Sequence, residues 1–524
     1  MEGIRGSLNR IIRVQVSLVS TLAIALFTWA STAGAQFVTP GPNTNDVGLT
    51  PNLDYVPDFQ LKQQQEPSCI MSPANELYIL CAYNDLRASD LPAVQGDSWM
   101  GVSMSNDGGD TWFSRLAPGY LGHPNSLNQG FAADPALVAI PGNSPGLAIL
   151  NYIAANRGSN DGQLLVQRWV EYPQEDQDFW KPEDNIIVIA DGSEGRFIDK
   201  PAFLYVVDLV SQQGTITQQI NVEGEAPISV TTPTGTLIAV YAVFTGNGGS
   251  KVLLRKSFDN GLTWTQSEKI SEEQNEVTGV SVTALGDDFV VVYRRRGDNN
   301  QPDAVMSSFC SIGGKKNCTK GEVMFEMCPF DQPASGSTHR TFSFPWAAND
   351  GKRFWAFAAD RRFANDASCT PVPDAAGIYT GKPRIVGMSS VNGKDWVGAN
   401  GAETEPFILA DRAEGFQVMP VAFGTKGRID IAWYDTYREE VVGLPAGNND
   451  ILINDYSTGS AKVARKADVW MTRLTANCGP NAKNGCTPSI ENPVRVSQYP
   501  AVLETSQANI RQETKAHLPN WTLY

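Results

Sequence analysis

Arginine recurs where apolar runs turn polar. The chain reads Asp85-Leu86-Arg87, Asn156-Arg157, Tyr293-Arg294-Arg295-Arg296, Asp360-Arg361-Arg362 and Asp435-Thr436-Tyr437-Arg438, each closing an apolar stretch. A guanidinium is a planar fork of donors that grips a carboxylate through two parallel hydrogen bonds, so arginines gathered on one rim would hold an anionic sugar. Cleaving a glycosidic bond also needs a proton donor and a nucleophile across that bond. The binding candidates are therefore Arg87, Arg157, Arg340, Arg361, Asp435 and Arg438. Each Asp/Arg ending also has a plain scaffold reading, a strand-end ion pair contributing about 0–1 kcal/mol where exposed.

Gathering such residues on one rim requires units built alike. A pattern of strand start, Gly or Asn turn and apolar strand ending in polar residues recurs from Pro67, Pro135, Pro201, Val280, Pro345 and Pro420. Pro67 to Pro135 is 68 residues, Pro135 to Pro201 is 66, Pro201 to Pro345 is 144 (two units) and Pro345 to Pro420 is 75. A period of about 70 residues accommodates four strands with their loops, and six units make a propeller. The third unit carries an inserted stretch between Pro201 and Leu237.

A second repeat sits behind the first. Ser105-Asn106-Asp107-Gly108-Gly109-Asp110-Thr111-Trp112 and Ser257-Phe258-Asp259-Asn260-Gly261-Leu262-Thr263-Trp264 both spell S-x-D-x-G-x-T-W. Ser389-Ser390-Val391-Asn392-Gly393-Lys394-Asp395-Trp396 is a worn third copy with Val where the Asp belongs. The spacing predicts tight hairpins in which the carboxylate accepts backbone N–H bonds, the Gly supplies φ > 0 and the Trp packs on the core. Ser105, Asp107, Gly109, Trp112, Ser257, Asp259, Gly261 and Trp264 are thus structural positions. With strands alternating up and down, a turn joining third and fourth strands lies on the face opposite the Asp/Arg endings.

These turns resemble the Asp-box (BNR) repeats of the sialidase superfamily, and residues 60 to 500 resemble secreted bacterial sialidase-like proteins. The resemblance implies an all-β fold: a six-bladed, sialidase-like β-propeller over residues 61–498 with four-stranded antiparallel blades. It implies a glycan-binding protein taking acidic sugars on an Arg-lined face. The alternatives are an exo-acting glycoside hydrolase of the α-sialidase type and a structural or protein-binding envelope propeller. The superfamily's arginine triad is best matched by Arg87, Arg361 and Arg438, its acid by Asp85 or Asp90, and its nucleophile by Tyr434 or Tyr437. Its Arg-Ile-Pro signature is absent; the corresponding stretch is Gln65-Glu66-Pro67.

Composition bounds the partners. The 524 residues hold 41 Lys+Arg against 56 Asp+Glu, a formal charge of −15, and no basic stripe, which excludes broad nucleic-acid binding. With 47 Gly, 32 Pro and only 19% charged residues, turns and short strands are favoured over solvated helices. Arg5, Arg10 and Arg13 precede an apolar run from Val14 to Ala30 and the small residues Ala33-Gly34-Ala35, so 1–35 reads as a signal peptide. No later segment has the ~20 apolar residues of a membrane span. Residues 36–60 read as a flexible lead-in and 499–524 as a tail that could close the ring.

The expected product is a secreted, periplasmic or cell-surface monomer whose partner is a glycan or glycoconjugate. Eight Cys suit that compartment, with Cys69/Cys81, Cys310/Cys318 and Cys478/Cys486 paired across short turns and Cys328 and Cys369 left over. No metal site or cofactor is expected from thiolates or histidines; His123 and His339 fall in loops where solvated histidines are usual. The oxygens of Asp107 to Asp110 and of Asn448 to Asp455 leave Ca²⁺ open as a ligand, without EF-hand spacing.

Overall fold

Four antiparallel strands followed by a step to the next sheet is a rhythm the chain repeats six times. The computed structural model describes residues 64–496 apart from 87–97, 143–144, 157–161, 173–178, 193–196, 208–213, 223, 247–248, 272–275, 298–301, 313–317, 330–341, 363–371, 374–378, 381–382, 399–400, 402, 404, 411–416, 436–449, 455–460, 466–467 and 477–487. The signal-peptide, lead-in and tail segments, and the Cys478/Cys486 pair, lie outside the described residues.

Blade 1 holds β1 (Gln64–Met71), β2 (Ile79–Asp85), β3 (Trp99–Ser105) and β4 (Phe113–Leu116). Blade 2 follows with β5 (Phe131–Ile140), β6 (Leu147–Ala155), β7 (Gln163–Glu171) and β8 (Trp180–Ala190). In blade 3, β9 (Phe197–Val207) is separated from its partner by an inserted hairpin, β10 (Thr215–Ile220) and β11 (Ile228–Pro233); β12 (Gly235–Phe244), β13 (Ser250–Ser257) and β14 (Glu268–Lys269) complete it. Blade 4 contains β15 (Val277–Leu285), β16 (Asp288–Arg295), β17 (Ala304–Ser311) and β18 (Glu322–Glu326).

Blade 5 pairs β19 (Trp346–Asn349) and β20 (Phe354–Asp360), inserts β21 (Val372–Pro373) and β22 (Tyr379–Thr380), and ends with β23 (Arg384–Ser390) and β24 (Phe407–Ile408). Blade 6 has β25 (Gln417–Thr425), β26 (Arg428–Asp435), the hairpin β27 (Asp450–Asn454) and β28 (Ala461–Arg465), then β29 (Asp468–Thr475), β30 (Ser489–Ile490) and β31 (Val494–Arg495). This is the expected all-β, six-bladed propeller, insertion in the third unit included.

First strands pack on one another in order, β1 on β5, β5 on β9, β9 on β15, β15 on β19 and β19 on β25, so they line the axis. The second strands of blades 2 and 5 are covered on both faces by neighbouring blades, whereas β26 of blade 6 alternates buried with half-buried or exposed positions. Leu147–Ala155 and Phe354–Asp360 are accordingly apolar almost throughout and buried along their whole length. Apolar layers fill the seams: Trp99, Tyr152 and Trp169 between blades 1 and 2, Ile238, Leu254 and Phe289 between 3 and 4, Trp355, Ile431 and Trp470 between 5 and 6. Removing one such ring by substitution to Ala costs about 3–5 kcal/mol.

Polar bonds pin the seams as well. The Ser68 hydroxyl accepts the Leu137 amide of the next blade at 3.0 Å, and Ser281 accepts that of Ala347 at 3.0 Å. The inserted hairpin is tied down through buried Arg168, which grips Glu183 with a bidentate pair and donates to Gln218 at 3.0 Å. Gln218 in turn donates to the Asp259 carbonyl at 2.9 Å.

The two full turns have the expected chemistry. Thr111 N donates to Asp107 Oδ1 at 2.9 Å, Gly109 N to Ser105 Oγ at 2.8 Å and the Trp112 indole to Gly109 O at 2.8 Å. Burial opposes ionisation of Asp107, but the bonds from Thr111 and Ser105 win and hold its carboxyl at about 2. Thr263, Gly261 and Trp264 repeat the set on Asp259, Ser257 and Gly261 at 2.9 Å each.

The third turn corrects the sequence alignment: Ser390 and Asn392, not Ser389 and Val391, take the Ser and Asp roles, with Asp395 N donating to Asn392 Oδ1 at 2.9 Å. That turn is one residue shorter, and Asn392 stands where Asp was sought.

Cys69–Cys81 and Cys310–Cys318 are disulfide-bonded as expected, and Cys69 lies directly opposite Cys81 across β1 and β2. Each closes a short loop, worth about 2–3 kcal/mol in the chain-entropy account. Two disulfides are compatible with an extracellular protein. Among the described residues no helix is long and apolar enough to cross a membrane. His123 is buried rather than solvated, accepting the Asn125 amide at 3.1 Å and packing edge-on to Tyr120.

Candidate functional site

The first strands share a defect. Each of β1, β5, β9, β15 and β25 breaks register near its start, by a shift within the pairings Gln65/Ser68, Ala133/Ala136, Val240/Ala242 (against β9), Thr278/Ser281 and Val418/Val421. One residue in every bulge adopts a left-handed backbone: Glu66 (φ 53°), Asp134 (φ 57°), Lys200 (φ 46°), Gly279 (φ 64°) and Met419 (φ 54°). A bulge re-aims the side chain it displaces, and a non-Gly residue held left-handed costs about 1–3 kcal/mol, which surrounding contacts must offset. All but Gly279 precede a proline, the same prolines whose spacing marked the repeat.

In blades 1–3 the displaced side chains converge. Lys200 Nζ bonds to Glu66 Oε1 and, at 3.0 Å, to Asp134 Oδ1. Asn84, near the end of β2, bridges the other two: its Nδ2 donates to Glu66 Oε2 at 3.1 Å and its Oδ1 accepts the Asp134 amide at 2.8 Å. Burial pushes Glu66 well above the ordinary carboxyl range; Lys200 pulls it down and Asp134 pushes it further up. Burial also opposes the charge on Asp134, but Lys200 and the bonds from Glu66 and Lys200 hold it well below the usual range. Lys200 stays cationic, since Asp134 and Glu66 outweigh its desolvation. Asp199 is a further carboxyl at this cluster, bonded to Asp134 and adding to the field that keeps Lys200 charged. Glu66 and Lys200 keep 12% and 17% of their side chains exposed, so a ligand can reach them.

The other half of the ring is apolar. Phe344 packs so closely over Gly279 that a Cβ there would lie 2.2 Å from its ring. Phe342 stacks on Phe344 with centroids 5.1 Å apart and planes 10° from parallel. Met419 completes this side, half-buried.

The residues singled out from sequence fall at the same ends of the blades but on the second strands, since Gln64 pairs with Asp85 and Gln417 with Asp435. Asp85 is fully buried against Gly101, whose missing side chain makes room for the Asp85 carboxylate and the Tyr83 ring. Tyr434 is on blade 6, its phenol pushed up by burial. Asp435, also buried, accepts the Trp433 indole at 3.3 Å. Arg361 is buried and donates to the Pro329 carbonyl at 2.7 Å; Arg294 pairs with Asp303 at 2.8 Å, and Arg362 with Asp360 at 2.8 Å. Arg87, Asp90, Arg157, Arg340, Tyr437 and Arg438 lie outside the described residues. Among the described residues no group of three or more His, Cys, Asp or Glu is arranged to hold a metal ion.

Glu66, Asp134 and Lys200 were not singled out from sequence. The available signal was a charged residue directly before the repeat-marking proline in three successive units, Glu66-Pro67, Asp134-Pro135 and Lys200-Pro201.

No protein-family model matches the chain, and no curated protein matches it. Among solved structures it is similar to a Trypanosoma rangeli sialidase in complex with 2,3-difluorosialic acid, at 10% identity and TM-score 0.37 over 72% of this chain and 52% of that one. The match thus spans about half of the sialidase. An exo-1,5-α-L-arabinanase from a bovine ruminal metagenomic library matches at 11% identity and TM-score 0.36 over 82% of this chain and 97% of that one. An α-L-arabinanase of Cellvibrio cellulosa complexed with arabinohexaose matches at 11% identity and TM-score 0.32 over 66% and 95%.

Proposed function

We propose that this chain is an exported, sialidase-like propeller that binds glycans at the axial end of its first strands. One observation carries the reading: three left-handed bulges turn Glu66, Asp134 and Lys200 onto one partly open point, with an aromatic pair on the other side of the ring. A sugar presents hydroxyls that both donate and accept, together with an apolar ring face. An ammonium and the carboxyl groups around it answer the first, and stacked phenyl rings the second. An acidic sugar would draw on the rim arginines, of which Arg294 and Arg361 already hold protein groups.

Binding is favoured over hydrolysis by this cluster. The two carboxyls of a glycosidase flank the scissile bond about 5–9.5 Å apart. Here Glu66 and Asp134 bond to one ammonium and to each other.

The test is a glycan array probed with purified residues 36–524, beside hydrolysis of a fluorogenic α-sialoside. Retention of a glycan that weakens about tenfold in Glu66→Gln and in Phe342→Ala, both shown folded by thermal melting, supports the reading. An array with no retained glycan, or retention indifferent to both substitutions, defeats it. Turnover of the sialoside moves the assignment to a hydrolase.

A further inference from the structure

We infer that the shortened third turn has opened a second, peripheral saccharide site between blades 4 and 5. Trp112 and Trp264 each spend their indole N–H on the glycine carbonyl of their own turn, at 2.8 and 2.9 Å. Trp396 occupies the same place in a turn one residue shorter. It is 6% exposed, and its Nε1 has no hydrogen-bond partner. Beside this turn lies a cleft of about 440 Å³, lined by Trp396 and by β17 and β18 of the preceding blade. Ser307, another lining residue, is 5% exposed, and its hydroxyl is also buried without a partner. Several other indoles of the described residues share this state, but here two such atoms belong to residues lining one cleft, and a buried donor or acceptor left unmade is costly.

The lining defines the ligand. Phe309 and Val323 supply apolar wall, while Glu322, Asp395 and Glu403 line the cleft with carboxylates and Lys394, its Nζ 4.5 Å from the Phe309 ring centroid, adds one ammonium. A ligand carboxylate meets three acids against the single ammonium of Lys394 and is repelled on balance. A cation satisfies the acids but has no lone pair for the Trp396 N–H. A sugar hydroxyl does both, accepting from the indole while donating to a carboxylate, so the site fits a neutral saccharide. The inference shares its ligand class with the axial reading but rests on none of the axial residues.

The deciding measurement follows the indole N–H resonances of ¹⁵N-tryptophan-labelled protein as cellohexaose, xylohexaose, maltohexaose or arabinohexaose is added, with spermine as the cationic probe. The Trp396 resonance, identified by its loss in Trp396→Phe, is expected to move with at least one oligosaccharide while those of Trp112 and Trp264 stay. Affinity should fall about tenfold in Trp396→Phe and, as a surface change that leaves packing intact, in Glu322→Gln. Glu66→Gln at the axial site should leave this response unchanged, so failure of either site shows separately. A Trp396 resonance still against all four sugars, or one moved by spermine alone, overturns the inference. So does a sugar response that both Trp396→Phe and Glu322→Gln leave intact.

Discussion

Blades 1–3 and blades 4–6 are built on one strand plan and put opposite chemistry at the same position. At the first-strand bulge the former present Glu66, Asp134 and Lys200, the latter Gly279 and Met419, with Phe344 of blade 5 filling over Gly279. On the charged side, left-handed strain is offset by ion pairs and by Asn84; on the apolar side, by packing and by a glycine that accepts φ > 0 freely. The difference teaches that the bulge, found in every first strand but β19, is a scaffold property kept with charged and apolar side chains alike. The side chains it aims are where blades diverge, and divergence of this kind makes one rim of a propeller two-sided.

The comparison breaks most severely at Lys200. Lys200→Met leaves Asp134 buried and ionised without its cation, and an orphaned partner of this type costs about 3–5 kcal/mol, read as a fall in melting temperature. On the apolar half, Gly279→Ala combines left-handed strain with a clash against Phe344, and a loss of about 1–3 kcal/mol is expected. Crystallography of that variant should find the Phe344 ring displaced.

Glu66→Gln sharpens the contrast through pH. The folded protein keeps its proton on Glu66 above the pH at which the unfolded chain releases it, so that residue's contribution to stability falls as pH rises from about 4.3 toward its raised folded value. Parallel melts across pH should show this decline in the parent and a flatter profile in Glu66→Gln. Asp134 runs the other way: its contribution is present above about pH 3.9 and is lost on acidification. Met419→Leu is expected to do least, below about 1.5 kcal/mol, because the apolar half tolerates a swap of similar volume. A larger loss there would mean that both halves are equally specified.

The architecture was legible because it is written redundantly. Prolines at even spacing, two matching turns and strand-like runs all point to the same plan. The axial cluster was harder to read, for a physical reason. Its members are separated by 134 and 66 residues in sequence, and a residue before proline ordinarily takes an extended backbone. Nothing local announces that Glu66, Asp134 and Lys200 are left-handed and aimed at one point. Asp85 and Asp435 drew attention because they end conspicuous strands, and both proved to be interior groups at 0% exposure. The third turn misled by one residue, since Asn392 does in a shorter loop what Asp does in a longer one.

The serine hydroxyls at the seams also bear on how the chain reaches this structure. Each blade is a meander of sequence neighbours, quick to assemble, whereas the Ser68–Leu137 and Ser281–Ala347 bonds span 69 and 66 residues. They form only after two finished sheets dock, so they belong to the late, slow part of folding that distant pairings govern. The amide hydrogens of Leu137 and Ala347 are therefore natural reporters of blade separation, exchanging with solvent when a seam opens even while both sheets stay intact.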